Sequence, residues 1–152
     1  NEKKYAFPYP LHAEEGFDFS FSGIKTSLKY LLRDLGHAPG ATELKDIAAS
    51  YQYAICNHLT HQLERVLAQY ANAKEVHLVG GVSANTRLRA MTVTLCKNHG
   101  VTARWPQTLA YCTDNAAMIA AAGYFLLQEE PAESIKPFAT QASIPLEDTV
   151  KP

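Results

Sequence analysis

Apolar positions in the first half of the chain fall mostly three, four or seven residues apart, whereas in the second half short β-prone runs alternate with helical patterns. Residues 1–16 set Pro8, Pro10 and Gly16 among aromatics and read as an irregular lead-in. Phe17-Asp18-Phe19-Ser20-Phe21 alternates with period two, which predicts a short strand or extended segment. Ser22 is placed to cap a helix from about Ile24 to Leu35, with Leu28, Leu31, Leu32 and Leu35 on one face. Gly36 and Pro39-Gly40 break that helix, and Thr42 with Glu43 starts another. Leu44, Ile47, Ala48, Tyr51, Ile55, Leu59, Val66, Leu67 and Tyr70 carry it to about Ala71 as one long amphipathic helix with room for a bend.

Val76-His77-Leu78-Val79 then forms a short β-prone run that stops at Gly80-Gly81. Asn85 to about His99 is helical with Leu88, Met91, Leu95 and Cys96 inward, and Gly100 ends it. Val101 to Trp105 reads as a second strand and Pro106 opens a loop. Thr113 or Asp114 is placed to cap a helix from Asn115 to about Gln128, and from Pro131 onward the chain becomes a polar, surface-hugging tail. The expected fold class is α/β: a parallel β-α-β-α core over 75–129 with an added helical layer over 22–72.

Composition narrows the function classes. With 152 residues, 47% hydrophobic and 19% charged, the chain is an ordinary globular domain rather than a disordered one. A net charge of −1 gives no bulk attraction for nucleic acid, though a local basic face is compatible with it. Cys56, Cys96 and Cys112 make no CxxC pair or disulfide framework, which points to a reducing compartment. No apolar run reaches the roughly 18 residues of a membrane span. The chain opens at Asn1 with the charged run Glu2-Lys3-Lys4 and reads as an excised piece of something longer.

The strongest candidate chemistry is the strand–loop–helix at Val79-Gly80-Gly81-Val82-Ser83-Ala84-Asn85. Gly80 and Gly81 let a ligand approach the backbone, and the following helix start offers free N–H groups and a positive dipole end. Ser83 or Asn85 is placed to hydrogen-bond a ribose, a base edge or a phosphate; a tight turn with an N-cap explains the same residues. The loop is neither GxGxxG nor a P-loop, and Asn85 stands where a nucleophile elbow needs glycine. Asp114, at the next helix start, suits either a metal ligand or a cap.

Ser22 and Lys25 have the S-x-x-K spacing of serine–lysine hydrolases, without the S-D-N and K-T-G that complete such a site, so a cap serine and a surface lysine are expected. His58 and His61 are three residues apart rather than the four of zinc helices, and read as histidines of a polar face. His12, His37, His77 and His99 show no ligand spacing. Cys112 reads as packed, and Arg87 and Arg89 as weak phosphate candidates.

Three longer motifs agree with one another. Asp18-Phe19-Ser20-Phe21-Ser22-Gly23-Ile24-Lys25-Thr26, Gly80-Gly81-Val82-Ser83-Ala84-Asn85 with Leu88-Arg89, and Cys112-Thr113-Asp114-Asn115-Ala116-Ala117-Met118-Ile119-Ala120 follow in the order and near-spacing of one family. With Phe7-Pro8-Tyr9-Pro10 before them, the chain resembles the carboxy-terminal part of the bacterial TsaD family, the tRNA N6-adenosine threonylcarbamoyltransferases formerly grouped as glycoproteases.

The resemblance implies an actin/Hsp70-like (ASKHA) fold, with this chain mostly its second lobe over 17–130. It implies transfer of threonylcarbamoyl from threonylcarbamoyl-AMP to N6 of adenosine 37 in ANN-decoding tRNA, in the cytoplasm, with TsaB-type and TsaE-type accessory proteins and no membrane. It assigns contact with the nucleotide, threonylcarbamoyl-AMP or an ATP-type nucleotide, to Asn85 within the Gly80, Gly81, Ser83 loop, and one ligand of a divalent metal, iron or zinc, to Asp114. The family's two histidine ligands form an HxxxH motif that this chain lacks, as it lacks the loops that hold phosphates and ribose, so the chain alone is expected to be inactive. No catalytic residue is assigned, and Asp18 and Lys25 receive no mechanism. The alternative from another class is a non-catalytic nucleotide-binding or protein-interaction module of the same fold.

Overall fold

In the computed structural model, which describes residues 1–9, 16–129 and 131, the chain forms two compact units, residues 1–113 and residues 114–152. Pro10, His12 and, apart from Pro131 itself, the tail expected from Pro131 onward lie outside the described residues.

The first unit contains α1 (Ser22–Asp34), α2 (Ala41–Gln69), β1 (Glu75–His77), a 3₁₀ turn (Gly81–Ala84), α3 (Thr86–Asn98), β2 (Thr102–Arg104) and a second 3₁₀ turn (Leu109–Tyr111). β1 and β2 pair in parallel, with Glu75 opposite Thr102 and His77 opposite Arg104. Parallel neighbours need a crossover, and α3 supplies it and packs against β2. The second unit's described element is α4 (Ala116–Glu129). The α/β order and the parallel pairing therefore agree with the sequence pattern, with strands one or two residues shorter.

The core is centred on α2. At 100° per residue, Cys56, Thr60 and Leu67 fall on one face, while His58 and Gln62 lie roughly opposite, and all five are buried. One side meets α3, and the other meets the segment over 17–21. A helix covered on two sides departs from the single apolar stripe expected for it. His58, read above as a polar-face residue, is in fact 1% exposed. Leu44 and Ala48 of the predicted stripe are instead exposed, because they lie in the first turns, where neighbours cover less of the helix.

Other expectations are also corrected. Residues 17–21 form no strand; their backbone is fixed by α2 side chains, with Gln62 Nε2 donating to the Asp18 carbonyl at 2.8 Å and the Ser20 N–H donating to His58 Nε2 at 3.3 Å. Ser22 is not a cap but the first helical residue; Phe21 occupies the cap position with no side-chain hydrogen bond. On α1, Ile24 is buried and Leu28, Leu31 and Leu35 are half-buried, whereas Leu32, one step round the helix, is exposed. The lead-in is irregular yet docked: the Tyr5 N–H donates to Ser50 Oγ at 3.2 Å, Ser50 Oγ donates to the Asn1 carbonyl at 3.1 Å, and Phe7 meets Tyr51 edge-on at 5.4 Å. His37 bridges the α1–α2 connection, with Nδ1 2.7 Å from the Leu35 carbonyl and Nε2 3.1 Å from Glu43.

Burial predicts the energetics of α1. Ile24→Ala, which empties a fully buried site, is expected to lower stability by about 2–4 kcal/mol. Leu32→Ala should stay within about 0.5 kcal/mol, as at other exposed positions. Urea melts of the chain followed by helical circular dichroism test the pair; equal shifts would show that α1 is not anchored through Ile24.

Candidate functional site

The glycine loop joins β1 to α3. Gly80 has φ +78° and ψ 175°, a conformation open to glycine and strongly unfavourable for other residues. The 3₁₀ turn then closes through Ser83 N–H to the Gly80 carbonyl and Asn85 N–H to the Val82 carbonyl, both at 3.0 Å. Asn85 caps α3: its Oδ1 accepts from the Leu88 N–H at 3.0 Å and also from Gln52 Nε2 of α2 at 3.2 Å. That oxygen is committed to structure, which leaves Nδ2 as the group Asn85 can offer a ligand.

The two glycines, read alike from the sequence, differ in role. Gly81 has room for a side chain: a methyl there would stand 3.9 Å from Thr113 Cγ2, an ordinary contact. Gly80 carries the constraint through its positive φ. Ser83 is 1% exposed, and its Oγ has no hydrogen-bond partner among the described residues. Val79 and Val82 beside it are exposed.

Neither arginine is a free phosphate ligand. Arg89 braces the loop from behind: Nε donates to the Ser83 carbonyl, Nη2 lies 3.6 Å from Cys112 Sγ, and its guanidinium sits 5.4 Å from the centre of the Trp105 ring. Arg87 pairs with Glu2 at 2.7 Å. Cys112 is buried, as its packed reading requires. This Arg89–Trp105 brace was not legible in the sequence, because nothing in the spacing of residues 89, 105 and 112 marks them as neighbours.

In the second unit, Asn115 Oδ1 accepts from the Met118 N–H at 3.0 Å, so Asn115 caps α4 in place of Thr113 or Asp114. Asp114 stands exposed just before it and is relieved of the capping role that competed with a ligand role. Among the described residues no three His, Cys, Asp or Glu side chains, Asp114 included, gather closely enough to hold a metal ion. Ser22 and Lys25 are both exposed, and Ser22 Oγ lies 3.3 Å from Ser20 Oγ, which gives the S-x-x-K spacing no nucleophile–base pair.

The fold and loop belong to a recognisable class, an α/β unit whose glycine loop feeds a capped helix. Residues 1–121 match the family described as TsaD, tRNA N6-adenosine threonylcarbamoyltransferase, and the chain belongs to that family. A relative of that name from Carboxydothermus hydrogenoformans is 45% identical over 120 residues, covering 79% of this chain and 34% of the relative. One from Thermosipho melanesiensis is 40% identical, covering 83% and 37%, and one from Brucella anthropi is 37% identical, covering 100% and 43%. The chain thus spans between a third and a half of the length of these relatives.

The loop geometry predicts that Gly80→Ala costs about 1–3 kcal/mol through backbone strain. Gly81→Ala should change stability by less than about 0.5 kcal/mol. Thermal melts of the two variants separate them, and a harmless Gly80→Ala would remove the backbone constraint assigned to that residue.

Proposed function

We propose that this chain is the carboxy-terminal part of an enzyme that transfers threonylcarbamoyl from threonylcarbamoyl-AMP to N6 of adenosine 37 in ANN-decoding tRNA. The observation that carries this reading is the family match over residues 1–121, which takes in all of the glycine loop and the Asp114 motif. Within the family's ASKHA-type fold, this chain forms most of the second lobe. Gly80 and Gly81 bring backbone close to the nucleotide, Asn85 donates Nδ2 to it, and Ser83 lies buried beneath the loop. Asp114 supplies one oxygen to a divalent metal, iron or zinc, whose remaining ligands come from outside the described residues. When bound, that ion would polarise or anchor the threonylcarbamoyl group. The enzyme works on tRNA in the cytoplasm with TsaB-type and TsaE-type accessory proteins. No helix among the described residues is long and apolar enough to cross a membrane.

Asp114→Asn in the full-length protein tests the assignment. The cap is on Asn115, so the melting temperature without added metal should be nearly unchanged. Metal content and threonylcarbamoyl transfer to tRNA should fall by orders of magnitude, because a charged oxygen leaves the ion's coordination shell. Asn115→Ala is the counter-variant: it removes the cap, lowers stability by about 1 kcal/mol and spares metal content. Normal activity and metal content in Asp114→Asn would overturn the ligand role.

A further inference from the structure

Two features lie outside the proposed chemistry: the Asp18–Phe21 segment, and a fully buried imidazole beneath it. His58 is 1% exposed and surrounded by Tyr9, Phe19 and Phe21, whose rings stand nearly perpendicular to it with centres 5.3–6.0 Å away. Its Nε2 accepts the Ser20 N–H at 3.3 Å, so Nε2 carries no proton and the neutral ring holds its hydrogen on Nδ1. Nδ1 is buried with no hydrogen-bond partner among the described residues. We propose that neutral His58 is an acid-sensitive latch: its Nε2 pins the Ser20 backbone to α2, and a second ring proton releases the Asp18–Phe21 segment.

The chemistry follows from donor counting. Protonation puts an N–H on Nε2, directly opposite the Ser20 N–H, so an acceptor–donor pair becomes two donors. The charged ring would then be buried with neither N–H satisfied, a state that costs far more than the neutral one. Burial accordingly holds the His58 pKa below its ordinary value, with the neighbouring His61 pushing the same way. Among the described residues, the surrounding groups supply no counter-charge within the cage. The lead-in presents Tyr9, whose phenol burial pushes up to about 12, and is therefore neutral. The segment presents Phe19, Phe21 and the exposed Asp18, α2 adds His61, and α1 buries Ile24 while Lys25, Lys29, Arg33 and Asp34 are exposed.

The sign is fixed by the lowered pKa. The unfolded chain takes up a proton near pH 6.5 while folded His58 resists it, so stability falls as pH drops below about 6.5. His37 acts oppositely: the Leu35 carbonyl and then Glu43 raise its pKa, so it contributes stability at low pH that is lost as pH rises through the folded value. A residue-specific readout is therefore needed. Two-bond ¹H–¹⁵N spectra of the 152-residue chain should show His58 as the Nδ1–H tautomer, titrating below 6.5. As pH falls from about 6.5 toward the lower folded pKa, the protection factor of the Ser20 amide should fall by up to about tenfold per pH unit. His58→Gln, whose side-chain oxygen can accept the same N–H without titrating, should keep Ser20 protected across that range. An Nε2–H tautomer, a pKa at or above 6.5, or an equal loss of Ser20 protection in His58→Gln would overturn the latch. If His58→Gln does not fold, the tautomer and titration in the unsubstituted chain decide it.

Discussion

Buried polar side chains of α2 hold the first unit together, because the segments beside that helix have no hydrogen-bond ladder of their own. Ser50 serves the backbone of Tyr5 and Asn1, His58 serves Ser20, and Gln62 serves Asp18. Each is a fully buried side chain placed opposite irregular backbone whose polar groups would otherwise face a desolvation cost of several kcal/mol. Apolar residues at these three positions would bury more oil and leave the lead-in and the 17–21 segment unsatisfied. The apolar core itself is small, with Ile24, Ile47, Leu67 and Leu88 as its buried aliphatics. Its small size gives the polar contacts an unusually large share in deciding which conformation the unit adopts.

The same helix reaches the candidate site. Gln52, one α2 turn beyond Ile47, donates to the Asn85 oxygen that caps α3, so the long helix and the glycine loop are joined by one amide–amide bond. From the other side Arg89 grips the Ser83 carbonyl and leans on Trp105. The loop is thus held at both its cap and its turn before any ligand arrives. Such preorganisation lets backbone N–H groups at a helix start contribute to binding without first paying to order them.

Legibility in the sequence tracked how local the cause was. Helix existence, the two strands and their parallel relation follow from periodicity and turn residues, which are short-range signals, and they emerged correctly. Asn85 as an N-cap was equally local, since its oxygen reaches only three residues on. What failed was mostly what required knowing a neighbour. Single-face periodicity on α2 put His58 in solvent, because nothing in 55–62 reveals that a second segment covers the opposite side. The 17–21 alternation suggested a strand, yet no partner strand exists for it among the described residues and side chains supply its bonds instead. Cap choice before α4 was decided among three adjacent cap-competent residues, Thr113, Asp114 and Asn115, whose propensities are too similar to rank.

The Asn85 geometry bears on how family motifs are to be understood. A residue that recurs in a binding motif is often taken to be held for its ligand alone, but Asn85 has two donors on its oxygen before any nucleotide is present. Those bonds fix the amide plane, and with the oxygen turned toward Leu88 and Gln52 the Nδ2 group must face the other way. Capping therefore leaves Nδ2 free, and in the nucleotide role proposed for Asn85 it would set the orientation from which contact is made. Aspartate would cap as well but would present oxygen, not nitrogen, on the free side, adding negative charge that would disfavour the proposed nucleotide. Serine would cap through its hydroxyl oxygen, and its remaining O–H donor would sit on that same atom, close against the helix start. Among the good cap residues, asparagine alone satisfies the helix start with one atom and leaves a neutral hydrogen-bond donor on the other.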